Sequence, residues 1–274
     1  MRSQKEGPGP LSRIVLFFLL SMLPAAAMAS GDSRTPASGA TLNDILGQAR
    51  KSVGEFWQQF GLVTCVESVA QQKLGTKGEI QSLRKSIFDY MVFLKAEPDD
   101  FSVEESRLLQ GKESKAKNVP LLVTSGLPTL LLVFHPYYGD DFNYNLEGEE
   151  MADGRRLIRI RFAHIAGRRS TTALRLREQD YPLDIQGIAS VDPETGAIQK
   201  IVAGLSAPMS EVNLKALEMD VRYDPQKFPA AENVYWLPST ATINVRTERQ
   251  HWRNVHQFSN YKRFSVNTEI KISK

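Results

Sequence analysis

Phe142-Asn-Tyr-Asn-Leu-Glu-Gly-Glu-Glu-Met-Ala-Asp-Gly-Arg-Arg-Leu-Ile-Arg-Ile-Arg-Phe162 is the stretch that decides the fold. Phe142, Tyr144 and Leu146 alternate with Asn143, Asn145 and Glu147, and Ile158, Ile160 and Phe162 alternate with Arg159 and Arg161. A period of two with one apolar side describes strands that bury one face and wet the other. Asp153-Gly154 between them supplies the two positive-φ residues of a tight hairpin. The stretch therefore reads as an antiparallel pair.

Outward from this pair the same pattern recurs. Asp192-Pro193-Glu194-Thr195-Gly196 is a second hairpin signal. Leu217, Met219, Val221 and Tyr223 alternate with charged residues, and Tyr235-Trp236-Leu237-Pro238 opens a strand that continues through Ile243 and Val245. The chain closes on Phe264, Val266, Thr268, Ile270 and Ile272, again alternating. Toward the N-terminus, Leu62 to Leu74 is a strand, Gly75 to Gly78 a turn, and Glu79 to Glu97 a long strand or a pair. Pro98 to Asn118, with Lys112, Glu113, Lys115 and Lys117, reads as a charged surface loop. The expectation is a mainly β (α+β) chain with roughly nine to eleven strands in one continuous sheet, and a sheet of that size curls or closes.

Two segments have helical character. Thr41-x-x-Asp44 resembles a capping box. Leu42, Ile45, Leu46, Ala49, Val53, Phe56, Trp57 and Phe60 follow at helical spacing and give one packing stripe. The apolar run from Val119 to Phe134 is broken by Gly126 and Pro128 and is too short to span a membrane. Pro128 suits the first turn of a helix running toward His135. Such a helix, apolar almost all round, must be covered by protein or ligand.

Residues 1–29 read as a cleavable signal peptide. Arg2, Lys5 and Arg13 precede an apolar run from Ile14 to Leu23, and Ala27 and Ala29 fit a cleavage site before Ser30. Residues 30–40 then form a Ser/Gly/Ala/Pro-rich, disordered leader, and 41–274 a single domain. The expected location is periplasmic or secreted. The net charge of +3 comes from 34 basic and 31 acidic residues. Removing Arg2, Lys5, Arg13 and Glu6 leaves 31 against 30, or +1, which does not suit a nucleic-acid binder. The lone Cys65 has no partner within the chain and reads as a small core residue.

No motif for chemistry stands out, and the chain reads as non-enzymatic, without metal or cofactor. His251 and His256 are five residues apart, which puts them on opposite faces of a strand. Zinc-type spacings, nucleophile elbows and phosphate loops are missing from the sequence. Arg155, Arg159 and Arg161 would share a strand face, and Arg168-Arg169 lie near Arg175 and Arg177. They form either a solvated outer face or a site for an anionic partner such as a lipid headgroup or a cell-wall polymer. Leu130, Leu131, Phe134, Tyr137, Phe142, Tyr144, Trp236 and Trp252 either line an apolar cavity or belong to an ordinary core.

The order of a leader, an amphipathic helix, long strands, an apolar helical insertion and a meander resembles the LolA/LolB superfamily of periplasmic lipoprotein carriers and the related RseB/MucB sensor domains. The helix Thr41–Phe60 running into Leu62-Val-Thr-Cys-Val-Glu-Ser-Val carries that resemblance, together with the hairpin at Leu146–Arg156. Ser190-Val-Asp-Pro-Glu-Thr-Gly-Ala-Ile and Tyr235-Trp-Leu-Pro-Ser add to it. The resemblance implies a curved, unclosed half-barrel whose apolar concave face is covered by the N-terminal helix and the apolar helix. It also implies an acyl-chain lipid or lipoprotein as ligand. The competing expectation is a packed interaction or envelope-stress sensor module that takes a protein partner at an edge strand, with Asn267–Ser273 as the candidate edge.

Overall fold

The computed structural model describes residues 41–60, 63–97, 100–111, 124, 128–176, 179–229 and 234–264. All belong to one compact unit, Gly39–Lys274. The expected signal segment, the leader and the strand 267–273 lie outside the described residues.

The chain enters on a helix, α1 (Leu42–Phe60). Its cap is reciprocal: the Thr41 N–H donates to Asp44 Oδ2 at 2.8 Å, and the Asp44 N–H donates to Thr41 Oγ1 at 3.3 Å. Both bonds satisfy amides that a helix start leaves without partners. Ile45, Leu46, Ala49, Val53, Phe56 and Trp57 are buried, as the stripe predicts.

Among the described residues twelve strands follow: β1 (Val63–Leu74), β2 (Ile80–Glu97), β3 (Asp100–Leu109), β4 (Phe142–Ala152), β5 (Arg155–His164), β6 (Ala173–Leu176), β7 (Gln179–Pro182), β8 (Ile185–Val191), β9 (Ile198–Leu205), β10 (Leu214–Lys227), β11 (Val234–Thr247) and β12 (His251–Arg263). Ten form one sheet in the order β3-β2-β1-β12-β11-β10-β9-β8-β5-β4, with β6 and β7 as a separate ribbon. Every pairing is antiparallel. Two meanders are thus joined where the last described strand, β12, lies against β1, and among the described residues β3 and β4 are the edge strands. The sheet is unclosed but strongly curled, since Arg155 at the start of β5 reaches the Trp236 ring on β11, four strands away. The expected hairpin at Asp153-Gly154 is present: Ala152 pairs with Arg155, and the two turn residues have φ of 49° and 76°.

Two expectations are corrected. Pro98–Asn118 is not a surface loop throughout, because Asp100–Leu109 is strand β3, paired with β2 from Phe88↔Leu109 to Glu97↔Asp100. Its half-buried positions include Glu105 and Arg107, so the apolar alternation that marks a strand is broken by charge. The apolar run also does not make an α-helix. Pro128–Phe134 and Pro136–Asp141 are two 3₁₀ segments. They are separated at His135, whose Nδ1 accepts from the Tyr137 N–H at 3.2 Å. Five successive residues, Leu130 to Phe134, are buried. A segment with three residues per turn presents side chains all round. The sheet and α1 together cover them. Among the described residues no helix is long and apolar enough to cross a membrane.

Candidate functional site

The start of β11 comes under the second half of α1, and the β8–β9 hairpin comes with it. Between them is a cleft of about 440 Å³. Val53 and Phe56 from α1, Leu131 from the first 3₁₀ segment, Ala197 and Ile198 from β9 and its turn, and Trp236 from β11 give it an apolar wall. Ser52, Glu55, Gln58 and Thr195 supply polar groups. Glu55 also pairs with Lys51 at 3.9 Å. The hairpin reaches the helix because its turn is tight. Asp192 Oδ1 accepts from the Glu194 and Thr195 N–H groups at 2.9 and 3.1 Å, and Gly196 sits at φ 70°. A Cβ at Gly196 would stand 2.4 Å from the Gln48 carbonyl carbon and oxygen, so only glycine lets the helix lie this close.

Two arginines stand on the aromatic residues of the cleft. The Arg155 guanidinium lies 5.4 Å from the Trp236 ring centre and the Arg263 guanidinium 5.7 Å from the Tyr235 ring centre. Five of the other basic residues singled out in the sequence are spent on neighbours. Arg156 donates to Glu149, Arg159 and Arg161 both donate to Glu147, and Arg175 donates to Asp180. Arg169 lies 4.2 Å over Tyr137 and pairs with buried Asp141 at 3.1 Å.

Of the eight expected ligand residues, the cleft brings together Leu131 and Trp236. Leu130, Phe134 and Phe142 are buried core residues. Phe134, Tyr144, Phe142 and Phe162 form one aromatic group, with Phe134 5.5 Å from Tyr144 and 5.8 Å from Phe162. The Tyr144 hydroxyl donates to the Val133 carbonyl, tying β4 to the 3₁₀ segment. Tyr137 stacks edge-on against Tyr138. Trp252 is buried on β12, with its indole N–H donated to Gln250. Sequence reading missed Ser52, Val53 and Phe56 as cleft residues. Val53 and Phe56 belong to the buried helical stripe and Ser52 stands beside it, and a stripe residue that walls a cleft follows the same spacing as one that only packs.

A second feature was not legible at all. Glu67 on β1, wholly buried, accepts from Arg107 Nε and Nη2 at 2.5 and 2.9 Å and from His256 Nδ1 at 2.8 Å. His256 Nε2 meets Thr124 Oγ1 at 2.8 Å, and Asn254 Nδ2 donates to that same oxygen at 2.9 Å. Arg107 also pairs with Glu105 at 2.9 Å and lies over Tyr90. An ionised carboxylate only accepts, so Nδ1 of His256 carries the hydrogen. Thr124 Oγ1 is thus held between Asn254 Nδ2 and His256 Nε2. Burial alone would push the Glu67 carboxyl up. The hydrogen bonds from His256 and Arg107 outweigh it and hold the carboxyl below its ordinary value. Hydroxyl, imidazole and carboxylate stand in the order of a general-base relay. Here, however, the carboxylate is already bound on both oxygens by a guanidinium and the hydroxyl is clamped from two sides. The arrangement is suited to holding Thr124 on the sheet. Cys65, next to this cluster on β1, is buried, and burial pushes its thiol up to about 12. Among the described residues no group of three His, Cys, Asp or Glu could hold a metal ion.

No family model and no curated protein matches the sequence. Solved structures align with it across most of its length. The LolA superfamily protein NE2245 of Nitrosomonas europaea is 11% identical, covering 83% of this chain and 96% of its own, with a TM-score of 0.37. A DUF1329 family protein of Desulfovibrio piger is 13% identical, covering 82% and 95%, with a TM-score of 0.42. The Mycobacterium tuberculosis lipoprotein LppX is 14% identical, covering 84% and 100%, with a TM-score of 0.24.

Proposed function

We propose that the protein is an exported, non-enzymatic binding protein that holds the acyl chain of a lipid or lipoprotein in the cleft between α1 and the β9–β11 side of the sheet. The observation that carries this reading is the cleft itself. It is of ligand size, walled by Val53, Phe56, Leu131, Ile198 and Trp236, with a few polar groups at its margin. A chain buried there gains roughly 0.8 kcal/mol for each methylene removed from water.

Ser52→Trp is expected to fill the cleft from the helix side without removing a core contact, because Ser52 is only half-buried. Native mass spectrometry of protein purified from a bacterial periplasm should show a copurifying acyl species on the parent and little on the variant. Thermal melting confirms that the variant is folded. An unchanged lipid complement on folded Ser52→Trp protein would place the ligand elsewhere.

A second reading, a protein partner laid along edge strand β3, is favoured by one observation. Leu83, Ile87 and Phe93 on β2 and Leu108 on β3 share the outward face and are exposed, Leu108 at 68%. Monomeric surfaces seldom gather such residues. A photo-crosslinking residue at Leu108 is expected to trap one discrete adduct in cells. A smear no different from that at Lys215, an exposed site on β10, would remove this reading.

A further inference from the structure

Between β5 and β8 the chain leaves the main sheet, runs out through a turn and the β6–β7 ribbon, and returns at Ile185. His164, the last residue of β5, stands at the neck of this excursion, and its side chain is only 1% exposed, which keeps solvent from either ring nitrogen. Nδ1 lies 2.7 Å from the Asp184 carboxylate on the returning limb, and Nε2 lies 3.0 Å from the Arg169 carbonyl on the outgoing one. A carboxylate and a backbone carbonyl both only accept. A neutral imidazole has one N–H and serves one of them, whereas the imidazolium serves both. We propose that His164 is a pH-operated clasp: protonated, it fastens both limbs of the excursion, and on losing a proton it releases the Arg169 carbonyl. The proton that leaves is the one on Nε2, because a carboxylate holds an N–H more strongly than a carbonyl does. A bare lone pair then faces the Arg169 oxygen, and attraction turns to repulsion. Arg169 passes the release on. Its guanidinium donates to the Tyr137 carbonyl at 2.8 Å, lies 4.2 Å over the Tyr137 ring and pairs with Asp141 at 3.1 Å, so the loop from 165 to 172 braces the second 3₁₀ segment. The charged groups on the elements packed round the imidazole are Asp184, Arg168 and Arg169 on the excursion and Asp140 and Asp141 on the 3₁₀ segment, while β4 presents the uncharged Phe142 ring, edge-on at 5.3 Å. The tie is therefore complete on the acid side and is lost as pH rises through the titration of His164. It operates whatever the cleft holds.

The test is a titration of the full chain between about pH 5 and about pH 8, the range over which a histidine ordinarily changes charge. Ring nitrogen NMR shifts report whether His164 carries one proton or two, and the signals lost in His164→Phe assign them. Exchange of the Arg168 and Thr172 amides, both bonded within the loop, reports its opening once the intrinsic pH dependence of exchange is removed. Loss of the Nε2 proton and a fall of about tenfold in loop protection are expected to share one midpoint, the factor being that of one charge-assisted hydrogen bond at the low end of its range. The Tyr137 ring signals should move with them. His164→Phe keeps a ring against Phe142 without its nitrogens, so its loop should be poorly protected throughout and show no step. Arg169→Ala keeps the carbonyl and loses the guanidinium, so the loop should still open with His164 while Tyr137 no longer follows. A ring that holds one protonation state across the range overturns the clasp, and so does a ring that titrates with no step in loop protection. A step that persists in folded His164→Phe belongs to another group and overturns it as well. The titration of the parent stands without any variant, so misfolding of one leaves the test intact.

Discussion

Arg107→Met is expected to destabilise the protein by about 3–5 kcal/mol, the range for removing one partner of a buried ion pair. Glu67 is wholly buried on β1, and the guanidinium binds both its oxygens. Methionine fills much of the space of the arginine stem but leaves a carboxylate in the interior with His256 as its remaining partner. Urea unfolding at pH 7 measures the loss. Glu67→Gln added to Arg107→Met removes the stranded charge and keeps an acceptor for His256 Nδ1–H, so the double variant should recover about 2 kcal/mol or more of the deficit. If Arg107→Met costs less than about 1 kcal/mol, in the range of a surface pair, the cluster is not the closed interior pair described above.

The same pair sets an acid limit. Glu67 titrates below the ordinary glutamate value of 4.5 in the folded protein. Its contribution to stability is therefore complete above the unfolded value and is lost as pH falls through the lower, folded one. In Arg107→Met the balance tips toward burial, which raises the carboxyl, so the penalty arises from keeping it ionised. The gap between parent and variant should then shrink as pH drops toward 4.5, and a gap that widens there would contradict the assignment.

The distinction between what the sequence discloses and what it hides follows from this cluster. Strands such as β5 and β10 were legible because apolar residues occupy every second position and the opposite side is charged. The Asp153-Gly154 and Asp192–Gly196 turns were legible because turn chemistry is local. Strand β3 was hidden because Glu105 and Arg107 turn charge inward. Their partners, Glu67 and His256, are 40 and 149 residues from Arg107 in the chain, and no local pattern links such positions. The apolar run at Leu130–Phe134 was legible as something to be covered. Its 3₁₀ form was not, because the period of three shows only once Pro136 has cut the segment to two turns. Most of the cleft was hidden for a simpler reason. A wall residue and a core residue obey the same alternation, and only the approach of α1 to the β8–β9 turn separates Leu131 and Trp236 from Phe134 and Trp252.

That approach is the basis of the second large effect, expected for Gly196→Ala. The residue sits at φ 70°, where an L side chain is strained by about 1–3 kcal/mol. The added methyl would also meet the Gln48 carbonyl at 2.4 Å and the Ala49 nitrogen at 2.8 Å. These are backbone atoms in the middle of α1, so no side chain can swing aside. The helix must move as a body, or the hairpin must. Together the strain and the overlap are expected to cost about 2–4 kcal/mol. The consequence for ligand follows from position. Ala49 and Val53 lie one turn apart on α1, and Thr195, Ala197 and Ile198 flank the substituted residue. Lifting the helix at Gln48 therefore opens the cleft at the wall shared by these elements. Two measurements on one sample test this: urea unfolding for stability, and the yield of copurified lipid for the cleft. Loss of both is the expected result. Full parental stability would show that the helix does not rest on this turn. Lost stability with an undiminished lipid complement would show that the α1–hairpin contact holds the fold together without shaping the ligand site.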